Sequence, residues 1–237
     1  MNKHIILVHT GFYDHNKKGF TLLEILLAIF IFSILVTSVF GSFNFILKNV
    51  NGLKDIMEIH DMGSRCIQRM VLDLESIHVT PQTIYETHKS RDISDPHPVK
   101  GGPRISGSYS NPALMFSSHA HLPFYGHGGT GVAEIVYYME KTTYNDGRLK
   151  RSDRLFSDTA FEPSKTDPVV CDSVASLTFS FFDCEGNKSD YWDSNSGEFS
   201  FSTPSAIGIY LEIEGKSGIY PFKTLVSLPV VRNKIEK

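Results

Sequence analysis

Four groups of residues in the 237-residue chain have the types that do chemistry. His119-Ala120-His121, with His127 six residues on, would offer imidazoles to a transition metal. No cysteine lies nearby to complete a ligand set, and Gly126, Gly128 and Gly129 mark a surface loop. Asp183, Glu185, Asn187, Asp190, Asp193 and Asn195 are rich in the oxygens that calcium takes. Their spacing fails the EF-hand pattern, because Lys188 stands where glycine is needed and Ser194 where glutamate is needed. Such residues equally build turns. Cys66, Cys171 and Cys184 form the third group. Nine extended residues between Cys171 and Cys184 would hold their ends about 30 Å apart, beyond the ~7 Å that a disulfide spans. These two are therefore expected not to be bonded to each other, and Cys66, on an apolar helix face, reads as a buried small hydrophobe. The fourth group is a single residue, Glu24, the one charge among 28 residues from Phe20 to Leu47. No nucleophile elbow, P-loop, zinc-protease helix or dinucleotide glycine pattern is present, so no enzyme activity, metal or other cofactor is expected.

The elements around these groups divide the chain by charge. Overall there are 23 basic and 26 acidic side chains, a formal net charge of −3, with 41% apolar residues. That composition excludes a disordered chain and gives no basic surplus for nucleic acid. Residues 1–19 carry Lys3, Lys17 and Lys18 against Asp14, which sums to +2 and leaves −5 for the remainder. Residues 25–47 are uncharged, a run long enough to cross a bilayer, which takes about 20 residues. Lys17 and Lys18 before it should stay cytoplasmic, with the larger acidic part on the far side. The run does not end in the small-residue cleavage site of an ordinary secretory signal.

At the junction the sequence reads Lys17-Lys18-Gly19-Phe20-Thr21-Leu22-Leu23-Glu24, then Ile25-Leu26-Leu27-Ala28. Here it resembles the type IV prepilin and pseudopilin superfamily. The resemblance implies a leader of residues 1–19, cleavage between Gly19 and Phe20 by a prepilin peptidase, and N-methylation of Phe20. It also implies that Glu24 meets the N-terminal amine of a neighbouring subunit during assembly, a charge-assisted contact. Without the resemblance, Glu24 reads as a carboxylate at the membrane edge, near the positive end of a helix.

Helical periodicity runs on through Leu53, Ile56, Met57, His60, Cys66, Ile67, Met70, Val71 and Leu74, and Pro81 should stop it near His78. The expected N-terminal helix covers residues 20–80, membrane-spanning over about 20–47 and an amphipathic stem over about 48–78. It would be roughly 85–90 Å long at ~1.5 Å per residue. Gly41, near Ser38, Ser42 and Asn44, is a place where it could bend. Residues 85–131 read as loops with one strand around Ala113-Leu114-Met115-Phe116. Strands are expected at 135–139 and 148–155, with a turn at Tyr144-Asn145-Asp146-Gly147, and at 174–182, 207–213 and 220–228. The fold class is α+β: a long N-terminal helix on an antiparallel, β-rich head of residues 81–237.

The succession Met70-Val71-Leu72-Asp73-Leu74, Gly147-Arg148-Leu149-Lys150-Arg151, 174–183 leading to Trp192, Pro204-Ser205-Ala206-Ile207 and Leu228-Pro229 looks like the J-type minor pseudopilins of type II secretion systems. This implies a single-pass inner-membrane protein with a periplasmic head. Its partners would be the prepilin peptidase, the I- and K-type and major pseudopilins, exoprotein substrates and the secretin. The alternatives are a minor pilin of a type IV pilus or DNA-uptake system, or a membrane-anchored periplasmic enzyme.

Overall fold

A computed structural model describes residues 19–90, 95–102, 114–122, 131–141, 147–155 and 161–235. The chain divides into two compact units, residues 1–52 and 53–237. Helix α1, Leu22–Glu75, begins in the first and ends in the second. It is helical through Gly41, with no unwinding there. Ser33, Thr37 and Ser42 each donate their hydroxyl to the carbonyl one turn back, at 2.7, 2.8 and 3.0 Å, which keeps polar groups satisfied in an otherwise apolar helix.

In the second unit α1 lays one face on a sheet. Cys66, Met70, Asp73 and Leu74 are fully buried, and Ile59, Met62, Ile67 and Val71 pack beside them. Leu53 and Met57, expected on this face, are 60% and 66% exposed. The buried face therefore starts at Ile59, and Gly63 lets it approach closely. A β-carbon on Gly63 would lie 2.3 Å from the Phe222 ring.

Among the described residues ten strands join in one antiparallel sheet, ordered β10-β9-β6-β5-β4-β3-β2-β8. They are β1 Ile77–His78, β2 Lys100–Gly101, β3 Leu114–Ser118, β4 Ala133–Lys141, β5 Gly147–Leu155, β6 Val169–Phe182, β7 Lys188–Ser189, β8 Trp192–Asp193, β9 Ala206–Gly215 and β10 Gly218–Ser227. Beside that order, β1 pairs with β3 and β7 with β6. The alternation read from the sequence places Leu177, Phe179, Phe181, Ile207, Ile209, Leu211 and Ile213 in the core, as expected of a sheet with one covered face. The expected turn at 144–146 lies outside the described residues.

Two expectations are corrected. Helix α1 ends at Glu75, earlier than Pro81 alone would require, because Ile77 and His78 pair with Ser118 and Ser117 of β3. Pro81 then opens a helix: α2, Gln82–Ser90, follows it directly, with the Tyr85 N–H donating to the Pro81 carbonyl at 2.9 Å. Proline suits a helix start because its missing N–H is not needed there. The loops expected after residue 85 therefore begin later.

Cys66 is buried as expected but is not a free thiol. It forms a disulfide with Cys171, near the start of β6, across 105 residues of chain, while Cys184 is free and exposed. The sequence gives each cysteine's local setting, but which ones meet is set by how α1 crosses the sheet. Cys171 and Cys184 are not bonded to each other. Closing a loop of about 100 residues contributes at most ~4–5 kcal/mol through the entropy of the open chain. Cys66→Ala with Cys171→Ala is expected to lower the urea midpoint of the head strongly, and an unchanged midpoint would contradict this.

Two buried ionic groups complete the head. Asp73 accepts from Arg151 Nε at 2.7 Å and Nη2 at 3.2 Å, and from the Tyr137 hydroxyl and Arg69. Arg151 also reaches Asp153 at 2.6 Å and the Ala120 carbonyl at 3.1 Å. Burial, then Asp73, pushes the Tyr137 hydroxyl far above its ordinary range. Near the C-terminus, Arg232 donates to Asp95 at 2.7 Å, to the Phe201 carbonyl at 2.8 Å and to the Ser194 carbonyl at 3.0 Å, and it stacks over Tyr85 at 3.8 Å. Each charge is both paired and hydrogen-bonded, the condition for burying it.

Candidate processing and assembly site

Lys17 and Lys18 lie outside the described residues. Gly19 and Phe20 are exposed and non-helical, and α1 starts after Thr21. A β-carbon on Gly19 would meet nothing within 4 Å, so the chain's own packing does not ask for glycine there. Thr21 and Glu24 cap the helix reciprocally. The Thr21 N–H and hydroxyl donate to Glu24 Oε2 at 2.9 and 3.1 Å, and the Glu24 N–H donates to Thr21 Oγ1 at 3.3 Å. This is a capping box, and Thr-x-x-Glu before an apolar run is its sequence signal. Both contacts use Oε2. The second carboxylate oxygen, Oε1, takes neither.

Beyond the cap, Leu22–Leu47 is 26 residues long and apolar enough to cross a membrane, and none of it is buried within the chain. Leu22, Leu23, Phe30, Phe32, Val39 and Phe45 are each at least 60% exposed. An apolar helix with no covered face needs lipid or other helices around it.

These features prompt one comparison. Residues 14–40 match the family described as Prokaryotic N-terminal methylation motif. The chain thus carries a methylation motif of the prepilin and pseudopilin type, and its apolar helix fits a single-pass inner-membrane anchor. No curated protein matches the chain. The match ends at Phe40, within the anchor, and does not extend into the head. It is consistent with processing by a prepilin peptidase and with assembly beside other pilin-like proteins. It also suggests a structural protein rather than an enzyme.

In the head, the histidines and carboxylates that the sequence spacing groups together are engaged with other partners. His121 Nδ1 meets Asp153 at 2.6 Å, whereas His119 turns to His78, ring centroids 5.1 Å apart. His127 lies outside the described residues. Asp183 accepts from the Asn187 N–H at 2.8 Å and side-chain amide at 3.0 Å, and from the Glu185 N–H at 2.9 Å. Those bonds, the Asn187 amide first, with Lys234 adding to them, hold the Asp183 carboxyl down at about 2. Lys234 Nζ lies 3.2 Å from Asp183 and 2.9 Å from Glu185, where a cation would sit. Asp193 instead faces Lys100 at 3.6 Å. Among the described residues no group of three or more His, Cys, Asp or Glu is arranged to hold a metal ion.

A histidine cluster emerges that the sequence spacing does not show. His78 of β1 packs edge-on against His97 at 4.6 Å as well as against His119, and His97 Nδ1 is 3.0 Å from the Ser117 hydroxyl. Burial lowers the His78 pKa, helped by His119; burial also lowers that of His97, helped by His78. Asp95 opposes both shifts. The unfolded chain takes up these protons near pH ~6.5 and the folded head resists them. Stability is therefore full above ~6.5 and falls as pH drops from there through the depressed values. The contribution of Asp183 is lost separately, as pH falls from ~4 to about 2. A urea midpoint that drops between pH 7.5 and 5.5, less so in His78→Gln with His97→Asn, is expected; a flat midpoint would refute it.

Proposed function

We propose that the chain is a J-type minor pseudopilin of a type II secretion system, cut between Gly19 and Phe20, methylated on Phe20, and assembled at the tip of a short periplasmic pseudopilus. The observation that carries the superfamily part is the methylation motif set on an uncovered apolar helix. Three features support the cleavage and the membrane topology. Gly19 has no packing role, which fits a residue chosen by a protease cleft that a side-chain-free backbone can enter closely. Lys17 and Lys18 precede the span and would hold the leader, residues 1–19, in the cytoplasm. A disulfide in the head suits an oxidising compartment on the far side.

The head then serves as a binding body for the I- and K-type pseudopilins, and through them for exoproteins and the secretin. Its open groove of about 420 Å³ beside α1 does not resemble an active site. Lys216 in it is spent on Asp55, at 2.9 Å, and Ile59 and Met62 are among its lining. Co-purification of the full chain with I- and K-type pseudopilins from detergent-solubilised membranes is the expected result. Recovery with pilus subunits instead would reassign it to a pilus or uptake system.

A further inference from the structure

The native disulfide joins two sulfurs that an external reagent cannot reach in the folded head: Cys66 is 0% and Cys171 1% exposed. The bond must therefore be made while the chain is still open. In the open chain Cys171 has two partners at very different distances. Cys66 is 105 residues away, whereas Cys184 is 13 away (184 − 171) and ends exposed and free. Loop-closure probability falls with about the 3/2 power of length, which favours Cys184 by roughly 20-fold.

We propose that the head reaches its native disulfide by exchange at Cys171: a Cys171–Cys184 bond forms first, and Cys66 then displaces Cys184. In the first step the two thiols pass two electrons and two protons to an external disulfide, which leaves as two thiols. In the second, the Cys66 thiolate attacks Cys171 Sγ. The bond from Cys171 to Cys184 breaks, and Cys184 departs as a thiolate that takes up the proton Cys66 lost. No further oxidant is consumed.

The topology gives this order a structural consequence. From Ser176 to Phe182 strand β6 runs paired with β9 without a register shift, six steps of ~3.3 Å or roughly 20 Å, and a disulfide closes only ~7 Å. A Cys171–Cys184 bond and a complete β6 exclude each other. Because β6 lies between β5 and β9, the middle of the sheet cannot close until the exchange has happened. The same exchange fastens α1 to the sheet, so docking of the helix and completion of β6 become one event. This rests on the proposed extracytoplasmic head only for the source of its oxidant.

The full chain, reduced and unfolded in urea with detergent, is diluted into glutathione and glutathione disulfide. Samples are quenched by acid and alkylation and mapped by mass spectrometry. The expected result is Cys171–Cys184 in excess over Cys66–Cys171 by about 20-fold at the earliest times. It should then decay as the native bond rises. Cys66→Ser should stop at Cys171–Cys184, and Cys184→Ser should reach the native bond with no such precursor. A native bond that forms first, or a Cys66→Ser chain that retains Cys171 and Cys184 as thiols, would overturn the proposal. Thiol trapping in cells tests location separately, since a fully reduced chain there would refute the extracytoplasmic head and leave the refolding order standing.

Discussion

Asp73→Ala should destabilise the head by about 3–5 kcal/mol, the cost of removing one partner from a buried ion pair. Asp73 and Arg151 are 0% and 1% exposed, and Asp73 also receives the Tyr137 hydroxyl and Arg69. Without the carboxylate, Arg151 keeps Asp153 and the Ala120 carbonyl but loses the acceptor for Nε, and the Tyr137 hydroxyl is left without its partner. Against a typical domain stability of ~5–15 kcal/mol that is a large fraction of the total, and at the low end of that range it leaves a substantial unfolded population at 37 °C. Trp192, the single tryptophan, is buried and stacked on Phe199 at 4.2 Å, so its fluorescence reports the transition in urea. Asp73→Leu combined with Arg151→Met should recover part of the loss, since it removes the unpaired Arg151 while the buried Asp153 keeps His121 and the Leu122 N–H as partners. A loss under ~1 kcal/mol in the single variant would mean that the network is not what holds α1 on the sheet.

The second large effect concerns Glu24. Glu24→Ala removes the carboxylate proposed to meet a neighbouring subunit's amine, but it also removes a helix cap worth about 1 kcal/mol. Glu24→Gln separates the two, because glutamine serves equally in a capping box and carries no charge. Both variants should still be cut after Gly19 and both should fail to enter the assembly, by tenfold or more in the shearable or cross-linkable fraction. If Glu24→Gln enters normally while Glu24→Ala does not, the residue acts as a cap alone and the proposed inter-subunit contact is wrong.

Legibility followed the range of the interactions. The junction from Lys17 to Glu24 and the apolar run could be read because every signal lies within a few residues of the next. Strands β6, β9 and β10 could be read because alternation reports one covered face. Pro81 misled, since the same ring that bars a helix interior also favours a helix start, and only the pairing of Ile77 with Ser118 shows that α1 had already ended. The decisive head contacts lie far apart in sequence: 78 residues from Asp73 to Arg151, 105 from Cys66 to Cys171, 137 from Asp95 to Arg232. Asp73 and Arg151 both stand in stretches that resemble the J type, yet nothing local in either stretch says that the two meet. The face of α1 was misplaced at Leu53 and Met57 because periodicity sets a stripe, while Gly63 and Gly215 set where the helix and sheet can touch.

The covalent tie from α1 to Cys171 also decides how the molecule would carry load. Traction along the helix reaches β6 at Cys171, where that strand pairs with β5, and β9 takes up the pairing from Val174 to Phe182. Force applied there passes to the β5 ladder and along β6 to the β9 ladder, whereas a tie at β10, the last strand in the order, would load one ladder alone. A pull on α1 within the head would thus be spread over both halves of the sheet.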